Sequence, residues 1–318
     1  MSLKSLLRLL FLLFLTVATV WILRRHTTPY VTNDGAIFGT TYHITYQSPT
    51  DYAPQVKAEM QRVDDALSLF NPDSWLSHYN AGEHPAPNAL AEEVITLAMR
   101  VSKDTEGAFD ITVAPLVNAW GFGKDDATAP SDQQIDSLLR TVGYQRYLRG
   151  ESVMLDCGAI AKGYAVDRVA RLLESHGVKN YMVEIGGEVV AKGRNTDSKP
   201  WNIGITKPTD QQTEMQEIFS FSDVALATSG NYRNYRTDAH GHIYAHTIDP
   251  RLGRPVQQTL LSATIIAPSC AEADAYATAA MVMGRDKAEQ ILSKKPSFKY
   301  YLIYAEGKEL KVSTNIER

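Results

Sequence analysis

Two groups of residues carry side chains that could act together chemically. Asp274 and Thr278 stand four apart in a run with helical period, so both oxygens lie on one helix face. A carboxylate and a hydroxyl are hard donors suited to Mg²⁺, which takes one or two protein carboxylates and completes its shell with water and substrate phosphate. Alanines at 271, 273, 275, 277, 279 and 280 let a neighbouring segment approach that helix closely. The second group is the stretch Leu155-Asp156-Cys157-Gly158-Ala159-Ile160-Ala161-Lys162-Gly163-Tyr164-Ala165-Val166-Asp167, with an acid, Asp156, and a base, Lys162, six residues apart. Small residues turn the chain just ahead of a helical pattern. Such a turn gathers backbone N–H groups and the positive end of a helix, which suits a phosphate-bearing ligand. It also suits a plain strand-to-helix connection whose small residues only pack. The Cys157–Ala159 loop can lend a backbone carbonyl to an ion held by Asp274 and Thr278.

Other polar residues are less committed. His246 precedes Thr247-Ile248-Asp249-Pro250 at a strand end, where it reads as a general base for a substrate hydroxyl or as a half-buried strand histidine. His240, His242 and His246 would share one side of a strand over a reach too long for a zinc site. Ser229, in Ala227-Thr228-Ser229-Gly230-Asn231-Tyr232-Arg233, has no His/Asp partner placed by the sequence and reads as part of a ligand-contacting turn. Glu184-Ile185-Gly186-Gly187-Glu188 is a hairpin, ligand-facing or simply structural. No Walker A motif occurs, and no Gly-x-Gly-x-x-Gly follows a strand, which weighs against P-loop and Rossmann readings. Net charge of −4 leaves no basic footprint for nucleic acid. The two cysteines, Cys157 and Cys270, are too far apart in sequence for a metal or redox motif. A disulfide between them would require an oxidising compartment, and a small buried thiol is the commoner state.

The elements that must hold these residues follow from periodicity. Ile37 to Tyr46 reads as a strand. Val56, Met60, Val63, Leu67 and Phe70 give an amphipathic helix stopped by Pro72, and Ser74 to Ser77 a loop or short turn. A helix spans Ala89 to Ser102, and a second, Asp132 to Val142, opens with a Ser131/Gln134 capping box. Between them Ala108 to Gly123 has no clean period and should wrap a core or pocket. Strands are expected around Tyr147 and over Ser152–Leu155, then at Tyr181–Ile185, Glu188–Ala191, Trp201–Thr206, Ile218–Ala227, Ile243–Ile248 and Leu260–Ala267. Helices from Ala271 to Met283 and Asp286 to Ser293 and a hairpin over Tyr300–Ser313 close the chain. Helices and strands intermix without regular βαβ alternation, so the fold class is α+β, with mixed β-sheets and packed helices.

The N-terminus breaks from this composition. Lys4 and Arg8 precede the uncharged, mostly apolar run Leu9–Leu23, and Arg24-Arg25-His26 follow. The run suits the apolar core of an export signal, lacks a small-x-small cleavage site, and has no Cys for a lipid anchor. Residues 1–26 therefore read as a signal-anchor, with Leu6 and Leu7 extending the span around Arg8; residues 27–36 read as a linker, and 37–318 as one domain.

In order along residues 37–285 the chain resembles the ApbE family, the FAD:protein FMN transferases. The matching pieces are Gly39-Thr40-Thr41-Tyr42, Phe109 to Asn118 with Trp120-Gly121-Phe122-Gly123, Asp156 to Gly163, Val183 to Gly187, Ala227 to Gly230, His246 to Pro250, and Ala267 to Cys270 with Ala273-Asp274-Ala275. The resemblance implies an ApbE-like fold and Mg²⁺-dependent cleavage of the FAD pyrophosphate. FMN passes to a Thr or Ser hydroxyl of a partner protein through a phosphoester bond, and AMP leaves. It implies that Asp156 and Lys162 contact FAD, and that the backbone oxygen of Ala159, with Asp274 and Thr278, holds the metal. Phe38, Trp75, Ala108, Phe109, Asp110 and Ile248 fall where the family touches the dinucleotide, Trp75 and Phe109 offering flat faces to isoalloxazine or adenine. His246 is the proposed base, and Asp274 is catalytic through the metal. Two other readings use the same residues: an FAD pyrophosphatase giving FMN and AMP, and a non-catalytic FAD-binding protein. The resemblance further implies acceptors among membrane redox-complex subunits. It agrees with a protein held at the bacterial inner membrane by its N-terminal segment, with its catalytic domain facing the periplasm.

Overall fold

The computed structural model describes residues 3–26, 28–123, 129–208, 214–230, 235–237, 243–257, 259–307 and 309–317. Its helices are α1 (Leu3–His26), α2 (Ala53–Leu67), α3 (Trp75–Asn80), α4 (Ala89–Asp104), α5 (Ala114–Ala119), α6 (Asp132–Leu139), α7 (Tyr144–Leu148), α8 (Ala161–Ser175), α9 (Cys270–Met283) and α10 (Arg285–Leu292). The strands begin with β1 (Tyr30–Ile37), β2 (Thr40–Gln47), β3 (Tyr181–Ile185), β4 (Glu188–Lys192), β5 (Trp201–Thr206), β6 (Met215–Phe221) and β7 (Asp223–Gly230). They continue with β8 (Tyr235–Thr237), β9 (Ile243–Ala245), β10 (Ile248–Asp249), β11 (Arg254–Pro255), β12 (Leu260–Ile266), β13 (Lys299–Glu306) and β14 (Glu309–Thr314). The class is α+β. The expected sheets resolve into one eight-stranded sheet, ordered β1-β2-β3-β4-β7-β12-β13-β14, and the two-stranded pairs β5–β6, β8–β9 and β10–β11. Each described ladder is antiparallel.

Strand alternation divides the molecule into layers. On β3, Tyr181, Val183 and Ile185 enter the main core with α2, α4, α8 and α9, while Met182 points to the opposite face. There Trp201 and Ile203 of β5 cover Val189, Ala191, Val224 and Leu226. Helix α9 lies inside the main layer. Every residue from Cys270 to Val282 is buried except Thr278. A helix apolar on all sides is stable only when surrounded, and here the sheet, α4, α8 and α10 surround it.

The contact that fixes the site is the crossing of α8 on α9. A Cβ on Gly163 would lie 2.4 Å from the Cys270 carbonyl oxygen and 2.9 Å from Asp274 Cβ, so only glycine permits this approach. Across it, Gly163 N donates to Asp274 Oδ2 at 3.1 Å. One turn further along α8, Asp167 accepts the N–H groups of Cys270 at 2.8 Å and Ala271 at 2.9 Å. These are first-turn donors of α9 that its own backbone leaves unpaired.

Several expectations change. The expected linker over 27–36 supplies most of β1, which pairs along its length with β2. Ser152–Leu155 joins no ladder. A side-chain amide replaces a partner strand there: Asn80 Nδ2 donates to Leu155 O and Asn80 Oδ1 accepts from Leu155 N, both at 2.8 Å. Asp156 N then donates to Ile111 O at 2.7 Å. The strand expected at Tyr147 is α7, and the helix expected to reach Val142 stops at Leu139. Helix α2 ends at Leu67, before Phe70, because Ser68 turns extended and its hydroxyl takes the N–H groups of Phe70 and Asn71. His240, His242, Asn231, Tyr232 and Arg233 lie outside the described residues. Among the described residues no helix is long and apolar enough to cross a membrane. The described side chains of α1 nonetheless leave Leu9, Phe11, Leu13 and Phe14 exposed.

Gly163→Ala should cost about 1–3 kcal/mol of stability, since the obstructing atoms are backbone and cannot turn aside. Urea unfolding measures it. A variant as stable as the parent would show that the two helices separate at no cost.

Candidate active site

The α8–α9 crossing opens into a cavity of about 830 Å³. That volume lies at the upper end for small-molecule sites and fits an extended ligand. One wall is the wrap from Ala108 to Gly123, as its aperiodic sequence suggested. Ala108, Phe109, Asp110 and Phe122 all face the space. This wall is tied down by Asp110, whose carboxylate accepts from Thr112 N and Oγ1 and from Tyr144 N, at 2.6–2.9 Å. Burial raises the Asp110 carboxyl above its ordinary value, and these three donors oppose the shift.

The floor is the turn before α8. Asp156 Oδ1 accepts from Gly158 N at 2.7 Å, an Asx turn that shapes the loop carrying Ala159. Burial raises Asp156 as well, against that single N–H. Lys162, in the first turn of α8, meets Glu188 Oε1 at 2.8 Å. Burial works to lower the Lys162 pKa, but the Asp274 and Glu188 carboxylates outweigh it and hold the ammonium above the usual lysine value. Burial raises Glu188, Lys162 opposes the rise, and Asp274 adds to it.

The third wall is set by strand register. Val189 at the start of β4 pairs with Leu226, and the chain then turns away through Gly186-Gly187, both at positive φ (63° and 101°). Thr228, Ser229 and Gly230 of β7 thus run past the end of β4 and line the cavity. Ser229 Oγ lies 3.2 Å from Thr278 Oγ1. Beyond them stand His246, Thr247, Ile248 and Pro250. The ring of Phe122 meets His246 edge-on, with centroids 6.3 Å apart.

Ala108, Phe109, Asp110, Asp156, Ala159, Lys162, His246, Ile248, Asp274 and Thr278 therefore all reach one cavity. Phe38 and Trp75 do not line it. Phe38 sits at positive φ (51°) in the β1–β2 turn, packed against the main core and off the cavity wall. Trp75 stacks on Tyr79, centroids 5.2 Å apart, and its Nε1 donates to Ala86 O at 2.8 Å. The aromatic that lines the cavity from this part of the chain is Phe70, 71% exposed and presented by the Ser68 turn. Helical periodicity had hidden it by assigning Phe70 to the buried face of α2. Glu188 was read only as part of a hairpin, ligand-facing or simply structural, with no role of its own, and it lines the cavity. Its signal was a carboxylate directly after Gly-Gly, but a hairpin alone does not say which face looks inward.

The donor set fits a hard divalent cation. Among the described lining residues, the carboxylates of Asp110, Asp156, Glu188 and Asp274 outnumber the single ammonium of Lys162. A pyrophosphate would enter such a pocket against repulsion unless a cation came with it. Three or more His, Cys, Asp or Glu side chains at metal-binding distance are not grouped among the described residues, so a site here relies on carbonyl and hydroxyl oxygens beside Asp274. Both cysteines are free and buried, with thiols pushed well above their ordinary pKa by burial, so neither is a nucleophile.

Comparison with known proteins agrees with this geometry. The model of the ApbE family matches residues 38–302. The FAD:protein FMN transferase of Escherichia coli (strain K12) is 33% identical over 310 residues, covering 91% of this chain and 88% of that protein. That of Vibrio cholerae serotype O1 is 39% identical over 272 residues, 80% of this chain and 81% of that protein. Among solved structures, the flavin transferase ApbE from Vibrio cholerae matches with a TM-score of 0.80 at 35% identity, over 90% of this chain and 97% of that one. The apo form of the Pseudomonas stutzeri flavinyl transferase ApbE matches with a TM-score of 0.78 at 31% identity, over 90% and 94%. On its sequence, its fold and the residues that converge on its cavity, this chain belongs to the ApbE family.

Proposed function

We propose that this protein transfers FMN from FAD to a threonine or serine hydroxyl of a partner protein, with Mg²⁺, and releases AMP. Membership of the family makes the chain a transferase enzyme. The observation that carries the finer reading is the convergence of Lys162, Asp274, Thr278 and His246 on one cavity walled by aromatic and apolar side chains. The Ala159 carbonyl, the Asp274 carboxylate and the Thr278 hydroxyl would hold Mg²⁺, which supplies charge neutralisation on the phosphoryl oxygens. Asp274 is already oriented, with Oδ2 fixed by Gly163 N. The Lys162 ammonium neutralises further pyrophosphate charge. Phe109, Ile248 and Phe70 offer apolar surface to the rings, and their burial or fixed turns keep that surface in place.

In the reaction the acceptor Oγ–P bond forms as the P–O bond to AMP breaks. The acceptor proton passes to His246, and AMP departs with the bridging oxygen. Water in place of the acceptor would give FMN and AMP. Incubating the protein with FAD, Mg²⁺ and a candidate acceptor protein, then measuring acceptor mass and AMP, separates the outcomes. Transfer adds FMN to the acceptor; a hydrolase yields AMP with no added mass; a carrier yields neither. Asp274→Ala should abolish Mg²⁺-dependent turnover, and full activity in that variant would remove Asp274 from the metal. His246→Ala should lower transfer while FAD binding persists, and unchanged transfer would remove it from the mechanism.

The reading extends to location. The run Leu9–Leu23, together with the exposed apolar side chains of α1, supports anchorage at the bacterial inner membrane. Basic residues stand on both flanks and do not select an orientation, so the periplasmic side of the domain rests on the family resemblance. The acceptor would then be a membrane redox-complex subunit exposed on that side. Protease added to spheroplasts should digest the domain while a cytoplasmic control survives. Protection of the domain would place it in the cytoplasm.

A further inference from the structure

Glu188 occupies the cavity wall in a way that the transfer chemistry above does not use. It opens β4 directly after the Gly186-Gly187 turn, and only 3% of its surface is exposed. One carboxylate oxygen, Oε1, pairs with Lys162 Nζ at 2.8 Å. The other, Oε2, is buried and has no hydrogen-bond partner among the described residues. A buried carboxylate oxygen left without a donor is costly, so a retained one points to a donor that arrives with a ligand. A carboxylate only accepts, so that donor carries an O–H or N–H.

We propose that Glu188 is the positioning residue for Lys162: it holds the ammonium in place before the dinucleotide enters, and its second oxygen accepts a hydrogen bond from a water that enters with the dinucleotide. This rests on the flavin-transfer reading and assigns a role that reading leaves open. The physical need is plain. Lysine ends in a compact charge on a flexible four-carbon stem, and without a partner it must be ordered anew at each binding event. The two residues come from rigid and separate elements, the first turn of α8 and the first residue of β4, so the pair fixes Nζ in the frame of the sheet. Asp274 stands near enough to act on both groups. Without Glu188 the ammonium would swing towards Asp274, the carboxylate assigned to the metal. Glu188 therefore keeps Lys162 and the metal ligand apart.

The test is a double-mutant cycle. Glu188→Gln keeps the shape of the side chain and removes its charge. At saturating FAD and Mg²⁺ it should lower kcat by about tenfold or more, with the acceptor KM unchanged. Thermal unfolding should show that the variant remains folded. In a Lys162→Met background the same substitution should change kcat by less than about twofold, because Glu188 acts through Lys162. An unchanged kcat in Glu188→Gln, or an equal loss with and without Lys162, would overturn the assignment. Should the parent transfer no FMN, the functional reading fails by itself. The cycle is then read in FAD affinity by flavin fluorescence, where the same coupling or its absence decides for or against Glu188. A parent that neither transfers nor binds FAD overturns both.

Discussion

The structure depends on how closely α8 and α9 approach. With Gly163 against the Cys270 carbonyl, the two helices meet at backbone distance. Three hydrogen bonds then lock their N-terminal halves together: Gly163 N donates to Asp274, and Asp167 accepts from the N–H groups of Cys270 and Ala271. A carboxylate at the start of a helix satisfies donors that the helix leaves open and complements its dipole. Here that carboxylate comes from another helix, so one interaction serves both helix capping and tertiary packing. Burial raises Asp167 to about 6 while the two N–H groups oppose the shift.

Because the crossing is fixed, the polar residues beside it are fixed too. Asp274 cannot rotate without giving up the Gly163 amide. Thr278, one turn along α9, is the half-buried position between Cys270 and Val282 and lines the cavity beside Asp274. The Asx turn at Asp156 sets the loop of Ala159, and the Asn80 clamp on Leu155 holds the strand-like approach to it. Each device replaces regular secondary structure with a side chain that satisfies backbone groups. The cavity thereby combines a rigid floor with walls that belong to no ladder on their open side, as at Thr228–Gly230.

Electrostatics follow the same arrangement. Among the described residues four carboxylates and one ammonium line a partly buried space, and burial raises Asp110, Asp156 and Glu188. The chain holds acidic groups at a stability cost that a bound cation would offset. Lys162 stays charged because its neighbours are carboxylates.

Much of this was legible from sequence. The pairing of Asp274 with Thr278 is set by helical spacing, which is local geometry. The wrap at Ala108–Gly123 and the hairpin at Gly186-Gly187 announced themselves by lost period and by glycine. The α+β class followed from the order of periodic segments. Other features lay beyond the sequence because they join residues with no local relation. The Lys162–Glu188 pair spans 26 positions and the Asn80 clamp 75. Phe70, rather than Trp75, lines the cavity because a serine hydroxyl ends α2 one turn before its apolar period does. The sequence by itself determined which residue types and turns were available. Tertiary packing decided which of them share a cavity, because that depends on how near two backbones can come, and at Gly163 the answer is set by a single missing Cβ.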